Sequence, residues 1–424
     1  MSDADIIVVG AGAAGLSLTR RLLTQHQSGA PLPSVLLVEP PEGPARSAAR
    51  TWCFWQEEAG EYDDLVTASW ARLRITGRDG HVTTGPSSPR YKMIRSTDYT
   101  RTLDVQLAAA PSLHRLTGTV TGVADTPGGA QVTGVDCWSR PFRYTGRYVF
   151  DSRPPQRLPP ARTTLLQHFR GWFVTTEEDR FDPSVAELMD LRTPQPHRGL
   201  SFAYVLPLSP RSALVEYTEF SKTLLNREAY DAALRHYTEH VRPLGALTVT
   251  STEQGVIPMT DGDFPRRVGR SVFRIGAAGG ATRPSTGYTF AALQRQTAAV
   301  AAAYRAGRTP VPPCPHARRH RAMDAVLLRA LATGRIDGAA FFEDLFRGNP
   351  PERVIRFLTG RSTLTEEWAI GLGTPVVPML CTLAELPVLP RRSPPQPRTP
   401  AHTPTSDGKD TREAPAEFPG SPGA

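Results

Sequence analysis

The chain begins with a short apolar strand that runs into a glycine-rich turn and then into a helical segment. The strand reads DIIVVG, and the turn places Gly10, Gly12 and Gly15 in the spacing G-x-G-x-x-G directly before the run LSLTRRLL. A second apolar run, SVLLVE, closes with Glu39, at the distance where an acidic residue reaches a ribose hydroxyl. The pattern predicts a βαβ unit whose helix amides bind the pyrophosphate of a dinucleotide.

A second glycine cluster, RIGAAGGATRPSTGYTF, follows far downstream, from Arg274 to Phe290. It reads as an ordinary strand-to-helix turn or as the distant segment that closes over the ring of a two-part flavoprotein, with helix amides directed at the electron-rich side of the flavin. Two such clusters favour FAD over NAD. The predicted cofactor site therefore consists of Gly10, Gly12, Gly15, Glu39, Gly276, Gly279, Ser285, Thr286 and Gly287.

Length and composition restrict the class of protein. A chain of 424 residues with 39% hydrophobic residues is long enough for two or three domains. Four cysteines without a CxxC pair indicate neither a disulfide framework nor a metal site. The formal charge of +8 fits an anionic membrane surface as well as a nucleic acid, but no nucleic-acid-binding motif is present, so we expect no nucleic-acid partner.

The chain also shows a coarse organisation. Short strands are predicted within 81–150 and 195–258, and helices within 287–307 and 321–360. The N-terminus lacks an export signal, which favours the cytoplasm. The most apolar window, Ala369 to Leu389, contains three prolines and a glutamate, so we expect it to lie on a bilayer rather than span one. The Pro-rich segment 390–424 is predicted to be a disordered tail.

Several motifs together resemble the lycopene cyclase family, the FAD-containing enzymes that close β-ionone rings on carotenoids. Besides the N-terminal VVGAGAAGLS, the resemblance is carried by TWCFW, FDSR, QHFRGWFV, LMDLR, LVEYTEFS, GVIPM, RIGAAGGATRPSTGY and FFEDLF. Their order and spacing are specific, and RPSTGY and HFRGWF discriminate most. The chain departs from the generic flavoprotein pattern at Ala277, where an aspartate is usual.

The resemblance implies an α/β fold. It consists of an FAD-binding, doubly wound, Rossmann-like domain (1–80, 90–150 and 255–310), an interposed β-sheet substrate domain (80–90 and 151–254) and a helical C-terminal part (311–389). It also implies ring closure on lycopene or a related carotenoid, reduced FAD as a non-redox cofactor and NAD(P)H as its reductant. It further implies that the protein is attached peripherally to the inner face of the membrane. Other enzymes of the carotenoid pathway are the implied protein partners.

The segment ALVEYTEFS carries two glutamates in a run that otherwise resembles an apolar strand. Ring closure on a hydrocarbon needs a desolvated acid and a base in a water-free pocket, and burial favours a protonated carboxyl group. A period of two places Glu216 with Leu214 and Phe220, and Glu219 with Tyr217, which leaves the choice between the glutamates open. The resemblance assigns catalysis to Glu216, with Glu219 as the second candidate.

Other residues of the motifs have two readings. The aromatic side chains are candidates for a polyene-lining surface that stabilises a cation, or for ordinary sheet core: Trp52, Phe54, Trp55, Phe169, Trp172 and Phe173. Arg170 and Arg192 are candidates for ion pairs or for flavin contacts, and His168 is interpreted as a packed, hydrogen-bonded histidine. Phe341, Phe342 and Phe346 are predicted to contact the membrane together with the Ala369 to Leu389 segment.

Two other functions remain open from the sequence. One is a flavin-dependent monooxygenase or reductase of an isoprenoid, since one scaffold hosts many reactions. The other is a non-catalytic, flavin-binding protein associated with a membrane.

Overall fold

The computed structural model describes residues 2–24, 31–43, 46, 48–57, 59–85 and 89–394. The strands are β1 (Ala4–Val9), β2 (Val35–Glu39), β3 (Thr51–Gln56), β4 (Ala68–Trp70), β5 (Arg72–Gly77), β6 (Gly80–Thr83), β7 (Arg90–Arg95), β8 (Leu113–Thr126), β9 (Gly129–Asp136), β10 (Pro141–Asp151), β11 (Thr164–Thr176), β12 (Val185–Asp190), β13 (Leu200–Ser209), β14 (Ser212–Ser221), β15 (Leu247–Thr260) and β16 (Val272–Arg274). The helices are α1 (Ala13–Leu23), α2 (Ser96–Ala108), α3 (Arg227–His236), α4 (Phe290–Arg305), α5 (Arg318–Thr333), α6 (Gly338–Arg347), α7 (Pro351–Leu358), α8 (Leu364–Leu372) and α9 (Val376–Glu385).

The first sheet is the predicted nucleotide-binding sheet. Five strands run parallel in the order β8-β2-β1-β10-β16, and β9 pairs antiparallel with both β8 and β10. Strand β1 is apolar from Ile6 to Val9 because both of its faces are covered: Ile6, Val8 and Phe150 of β10 pack on the helical side, and Ile7 and Val9 on the other. The βαβ unit expected from the first residues is confirmed.

The second sheet has seven strands in the order β15-β11-β14-β13-β12-β5-β6, and β3, β7 and β4 form a smaller third sheet. One face of the seven-stranded sheet packs against the C-terminal helices, and the opposite face packs against α3. The two larger sheets, joined to a helical C-terminal part, match the predicted fold class. This confirms the α/β assignment.

The predicted boundaries between the two parts differ from the sheets. Strand β5 lies within 1–80, yet it pairs in parallel with β12 of the seven-stranded sheet. Strand β15 remains in that sheet until Thr260, although the sequence placed residues from 255 onward in the nucleotide-binding part. The pairing partner of a strand is not visible in its local sequence pattern.

The predicted membrane contacts of three phenylalanines are wrong. Phe341, Phe342 and Phe346 on α6 are 5%, 4% and 1% exposed and pack in the core between the seven-stranded sheet and the C-terminal helices. An apolar stripe on a helix is equally suited to a core and to a membrane surface. Here the sheet covers it.

Helices α8 and α9 have an exposed apolar face, which we call the α8–α9 face. It consists of Leu364, Trp368, Leu372, Val376, Val377, Leu380 and Leu383, with Val388 beyond the end of α9. Among the described residues no single helix has the length and apolarity needed to cross a membrane. The segments 364–372 and 376–388 satisfy that test only as a pair, and they are bent by 116° relative to each other.

The predicted disordered tail begins too early. Arg392 forms an isolated antiparallel bridge with Ala161, and Arg391 Nη1 donates to the carbonyl oxygen of Asp261 over 2.9 Å. These contacts fix the first residues after Pro390 on the body of the protein. The rest of the predicted tail, 395–424, lies outside the described residues.

Candidate active site

A cleft with a volume of about 1200 Å³ lies at the carboxyl end of β1. It extends from the first glycine turn past β3 and β15 to the second glycine cluster. Of the predicted cofactor residues, it is lined by Gly10, Gly12, Glu39, Gly276 and Gly279. The carboxyl ends of parallel strands are where doubly wound sheets bind ligands.

The turn before α1 is built to receive an anion. Gly12 is the N-cap of α1 and provides no side-chain cap, so the first-turn amides point into the cleft without an internal acceptor. A Cβ atom on Gly12 would have no protein atom within 4 Å, whereas one on Gly15 would lie 1.9 Å from the carbonyl oxygen of Gly10. Gly12 therefore leaves space for a ligand. Gly15 does not line the cleft, and its role is to let α1 pack against the turn.

Glu39 ends β2 at the edge of the cleft. Its carboxylate accepts from Arg46 Nη2 over 2.9 Å and lies 3.8 Å from Arg115 Nη2. The glutamate is thus held at the position expected for binding a ribose hydroxyl.

Fewer residues of the second glycine cluster line the cleft than the sequence predicted, since Ser285, Thr286 and Gly287 do not. Ser285 is buried, and its hydroxyl donates to Asp324 Oδ1 on α5 over 2.6 Å. Arg283 donates to the same oxygen from Nε and Nη2 over 3.2 and 3.1 Å. Ser285 therefore fixes the loop to α5 instead of facing a cofactor.

The next two residues of this loop have different environments. Gly287 has a φ of 72°, which favours glycine, and a Cβ atom there would lie 2.1 Å from Gln167 Oε1. The buried Thr286 Oγ1 and Gln167 Oε1 have no hydrogen-bond partner among the described residues. Neither Thr286 nor Gln167 lines the cleft, so these buried atoms do not mark a contact with a bound ring.

The strand β14 places the two candidate glutamates on opposite faces of the seven-stranded sheet. Glu216 shares its face with Leu214 and Phe220, which pack toward the C-terminal helices. Glu219 lies on the α3 side, where its Oε2 accepts from the hydroxyl group of Tyr217 over 3.1 Å. Both side chains are buried. Only Glu216 faces the side of the sheet on which β3 and the cleft lie.

Glu216 is paired with a third glutamate, Glu253 of β15. Strand β11 lies between β14 and β15, and Gly171 is in register with both glutamates. Since Gly171 has no side chain, the two carboxyl groups meet across it in a hydrogen-bonding contact. Burial, followed by the negative charge of Glu253, raises the pKa of Glu216 well above its ordinary value.

The two carboxyl groups have unequal surroundings. Thr218 Oγ1 donates to Glu216 Oε1 over 2.9 Å, and Thr51 Oγ1 donates to Glu253 Oε2 over 2.8 Å. Burial raises the pKa of Glu253 as well, but the hydroxyl and amide of Thr51, the proton of Glu216 and the charge of Arg95 all oppose that rise. These contacts favour the proton on Glu216 and the negative charge on Glu253.

Apart from Arg95, the groups around the pair are aromatic or uncharged. Burial raises the pKa of the Cys53 thiol and of the Tyr91 and Tyr204 hydroxyls, and that of Tyr288 to about 12. All four are therefore neutral at physiological pH. The ring of Trp55 lies 4.4 Å from that of Tyr91 and 6.5 Å from that of Tyr288, measured between centroids. The environment combines an acid with π surfaces, as carbocation chemistry requires.

The remaining candidate aromatic residues have different locations. Trp52 and Phe169 line the cleft, and Phe54 packs on Phe290 of α4. Phe173 lies under the guanidinium of Arg95. Trp172 lies in the core under α3, so the polyene-lining interpretation does not extend to it.

The charged candidates of the motifs form internal contacts. Arg170 Nε donates to Asp231 of α3 over 2.5 Å, and Arg192 pairs with Asp190 over 2.6 Å. Neither arginine lines the cleft, so the ion-pair interpretation holds. His168 is buried between Tyr230 and Ser221, with contacts of 2.6 and 2.9 Å, as its interpretation as a packed histidine predicted.

Sequence reasoning missed Glu253 and Thr51. Glu253 lies in STEQGVIPM, two residues before a segment that was singled out as a motif, and Thr51 begins TWCFW. The usable signal was the alternation along β15, which places Glu253 on the same face as Gly255. The pairing with Glu216 depends on the register of three strands, which no local pattern encodes.

Comparison with known proteins shows what this chain is similar to. The family model described as lycopene cyclase protein matches residues 5–384. The lycopene beta-cyclase of Pantoea ananas is 26% identical over 408 residues, which cover 89% of this chain and 97% of that protein.

Solved structures share the fold at low identity. A geranylgeranyl bacteriochlorophyll reductase-like protein from Thermoplasma acidophilum has a TM-score of 0.61 and 14% identity, and the match covers 90% of this chain and 96% of that one. The flavin-dependent brominase Bmp2 has a TM-score of 0.56 and 14% identity, with 87% and 97% covered. The flavin-dependent monooxygenase PieE, solved with FAD and substrate, has a TM-score of 0.55 and 14% identity, with 92% and 72% covered. These neighbours support a flavoprotein fold.

Proposed function

Because this chain belongs to the lycopene cyclase family, we propose that it is a lycopene β-cyclase that closes β-ionone rings on the ψ-ends of lycopene or a related acyclic carotenoid. The observation that carries the proposal is the buried Glu216, whose pKa is raised well above its ordinary value by burial and which faces an aromatic environment beside the predicted FAD cleft. Cyclisation of a hydrocarbon begins when an acid protonates a terminal carbon–carbon double bond. A carboxyl group that stays protonated at neutral pH meets this need.

Different residues of this chain hold the proton, exclude water, stabilise positive charge and position the second glycine loop. Glu216 holds the proton at its carboxyl oxygen, and the surrounding core excludes water that would quench a cation. The rings of Trp55 and Tyr288 offer π surfaces that attract positive charge. Arg283 and Ser285 fix the second glycine loop to α5 through Asp324.

The residues that would hold FAD are those of the two glycine clusters. The amides after Gly12 would bind the pyrophosphate, Glu39 would bind the ribose, and Gly276 and Gly279 would let the second cluster approach the ring. When bound, reduced FAD supplies negative charge that stabilises a carbocation without net electron transfer. The family resemblance further supports NAD(P)H as the source of the electrons that reduce it.

The α8–α9 face supports peripheral attachment to the inner face of the membrane. Trp368 and Leu372 on α8 are each 73% exposed, and Val377 on α9 is 71% exposed. Contiguous exposed apolar side chains mark interaction sites, and a carotenoid substrate dissolves only in lipid. The formal charge of +8 adds attraction to an anionic, cytoplasmic leaflet.

Expression in cells that accumulate lycopene tests the proposed function. A cyclised pigment of unchanged elemental formula is expected. A pigment that gains oxygen or hydrogen would instead identify a flavin monooxygenase or reductase, and unaltered lycopene would contradict cyclisation of this substrate.

A further inference from the structure

Ring closure requires a base as well as an acid, because the proton added to the double bond is matched by one that leaves the ring. Glu216 accounts for the acid. The group that receives the ring proton must lie within reach of the same substrate end and must be ionised in a site that excludes water.

Glu253 meets both conditions through its position in the sheet. It lies across Gly171 from Glu216, on the same face, in hydrogen-bonding contact with it. A substrate end in reach of one carboxyl group is therefore in reach of the other. The absent side chain of Gly171 makes this possible, since a Cβ atom there would lie 3.3 Å from Glu253 Cγ and 3.4 Å from Glu216 Cβ.

The contacts of Glu253 favour its ionised form. The hydroxyl and amide of Thr51 both donate to it, and the guanidinium of Arg95 lies close enough to stabilise its charge. Glu216 has no comparable cation among the groups that act on it. The titratable and charged groups that face the pair from the adjoining elements are Cys53, Tyr91, Arg95, Tyr204 and Tyr288.

We propose that Glu253 is the base of the reaction, which shares one proton with Glu216 and returns it after each ring closure; this inference rests on the proposed cyclase function. The O–H bond of Glu216 breaks as a C–H bond forms at the terminal double bond, and the neighbouring double bond then closes the ring. A C–H bond beside the cationic carbon breaks, its electron pair forms the ring double bond, and its proton passes to Glu253. The proton then crosses the Glu216–Glu253 hydrogen bond, which restores the pair without oxidant or reductant.

The cycle explains why two acidic residues share one buried location. Before proton delivery, one oxygen of Glu253 accepts from Thr51 Oγ1 and the other accepts from Glu216. The pair therefore does not readily take up a second proton. After delivery, the oxygen that had accepted from Glu216 is free. Two ionised carboxylates then face one carbocation, which favours both the cation and the return of its proton.

The decisive variant is Glu253→Gln in the FAD-loaded protein, compared with wild type and with Glu219→Gln, whose side chain lies on the opposite face. We expect wild-type cyclisation to require the singly protonated pair, and hence to fall on both sides of a pH optimum. Glu253→Gln should lower the rate on the order of 10²-fold and remove the acid-side fall. Its alkaline fall should move to lower pH, because the charge that opposes ionisation of Glu216 is gone.

Infrared titration of the same proteins measures the shared proton without any turnover. The carbonyl band of a protonated, buried carboxyl group should be present at neutral pH in wild type, absent in Glu216→Gln, and lost at lower pH in Glu253→Gln than in wild type. If Glu253→Gln does not fold, Thr51→Val serves instead: it removes a donor to the anion, so the acid-side fall in activity should move to higher pH.

A Glu253→Gln enzyme with the wild-type rate and pH profile would overturn the proposal, as would an infrared titration of Glu216 that Glu253→Gln leaves unchanged. If wild type itself fails to cyclise lycopene, the proposed function fails. The infrared titration would still decide whether the two glutamates share a proton.

Discussion

Glu216 and Glu253 lie on strands that do not pair with each other, yet their carboxyl groups meet because Gly171 on the intervening strand has no side chain. The pair lies in a core of aromatic and uncharged groups, with Arg95 as the nearby cation. Burial, followed by the negative charge of Glu253, raises the pKa of Glu216 well above its ordinary value. The acid that the proposed reaction needs therefore results from sheet register.

Gly171→Ala tests this dependence on register. The added methyl group would lie 2.8 Å from Leu214 Cδ1 and within 3.4 Å of both glutamate side chains, so we expect the pair to separate and cyclisation to fall strongly. Overpacking should cost about 1–3 kcal/mol of unfolding free energy. Gly128→Ala is the control, because a Cβ atom there meets nothing within 4 Å. Full activity in Gly171→Ala would show that the close approach is dispensable.

The two glycines of the first turn should fail in different ways. Gly12→Val places a side chain in the cleft without a clash inside the protein, so the folded protein should lose FAD while its thermal unfolding, measured without flavin, stays unchanged. Gly15→Ala forces a contact with the carbonyl of Gly10 and should lower stability as well. Flavin absorbance per protein and the unfolding midpoint separate the two effects. Stoichiometric flavin in Gly12→Val would refute this placement of the pyrophosphate.

Membrane binding through the α8–α9 face is testable with a matched pair of tryptophans. Trp368 on α8 is 73% exposed, and Trp138 near the end of β9 is 71% exposed. Trp368→Glu should weaken partitioning to anionic liposomes by roughly tenfold or more, as expected for one large apolar side chain. Trp138→Glu should not. Equal flotation of both variants, at low and at physiological salt, would argue against this face.

A pH-dependent stability is expected from His168. Ser221 Oγ donates to the carbonyl oxygen of Thr223 and so accepts from His168 Nε2, while Nδ1 accepts from Tyr230. The neutral ring is thus fully paired, and burial lowers the pKa of His168 to about 4. A lowered histidine pKa means that the unfolded chain binds more protons between about pH 4 and its ordinary value of 6.5.

Stability should therefore fall as the pH falls through that range, by an amount on the order of 3 kcal/mol from this residue. His168→Gln keeps two polar contacts without titrating, and it should flatten this part of the profile. Denaturant unfolding between pH 4 and 7 measures the effect. An unchanged slope in His168→Gln would show that other groups cause it.

Local patterns predicted the parts of the site that depend on neighbouring residues. The first βαβ unit, with Gly12 at the helix start and Glu39 at the end of β2, follows from the alternation of apolar runs and glycines. Glu216 was found because an acid interrupts an apolar strand and its motif resembles that of a known family. Its face of the sheet agrees with the period of two.

Features that depend on distant pairing were not predictable in this way. Glu253 belongs to the site because of the register of β11 with two other strands. Ser285 does not, because its hydroxyl donates to Asp324 on α5. The phenylalanines of α6 are buried because the seven-stranded sheet covers them, while Trp368, equally apolar, is left exposed. An apolar side chain is expected to be covered, but only the tertiary packing determines which part of the protein, or which partner, covers it.

The most direct test measures NAD(P)H consumed per ring formed, with Glu216→Gln and Glu219→Gln alongside wild type. We expect wild type to need reduced flavin but to consume far less reductant than the rings it closes, because acid–base cyclisation has no net redox change. Glu216→Gln should lower the cyclisation rate about 10²–10⁴-fold with FAD still bound. Glu219→Gln should retain the wild-type rate. Consumption of one reductant per ring, or a fully active Glu216→Gln enzyme, would contradict the account.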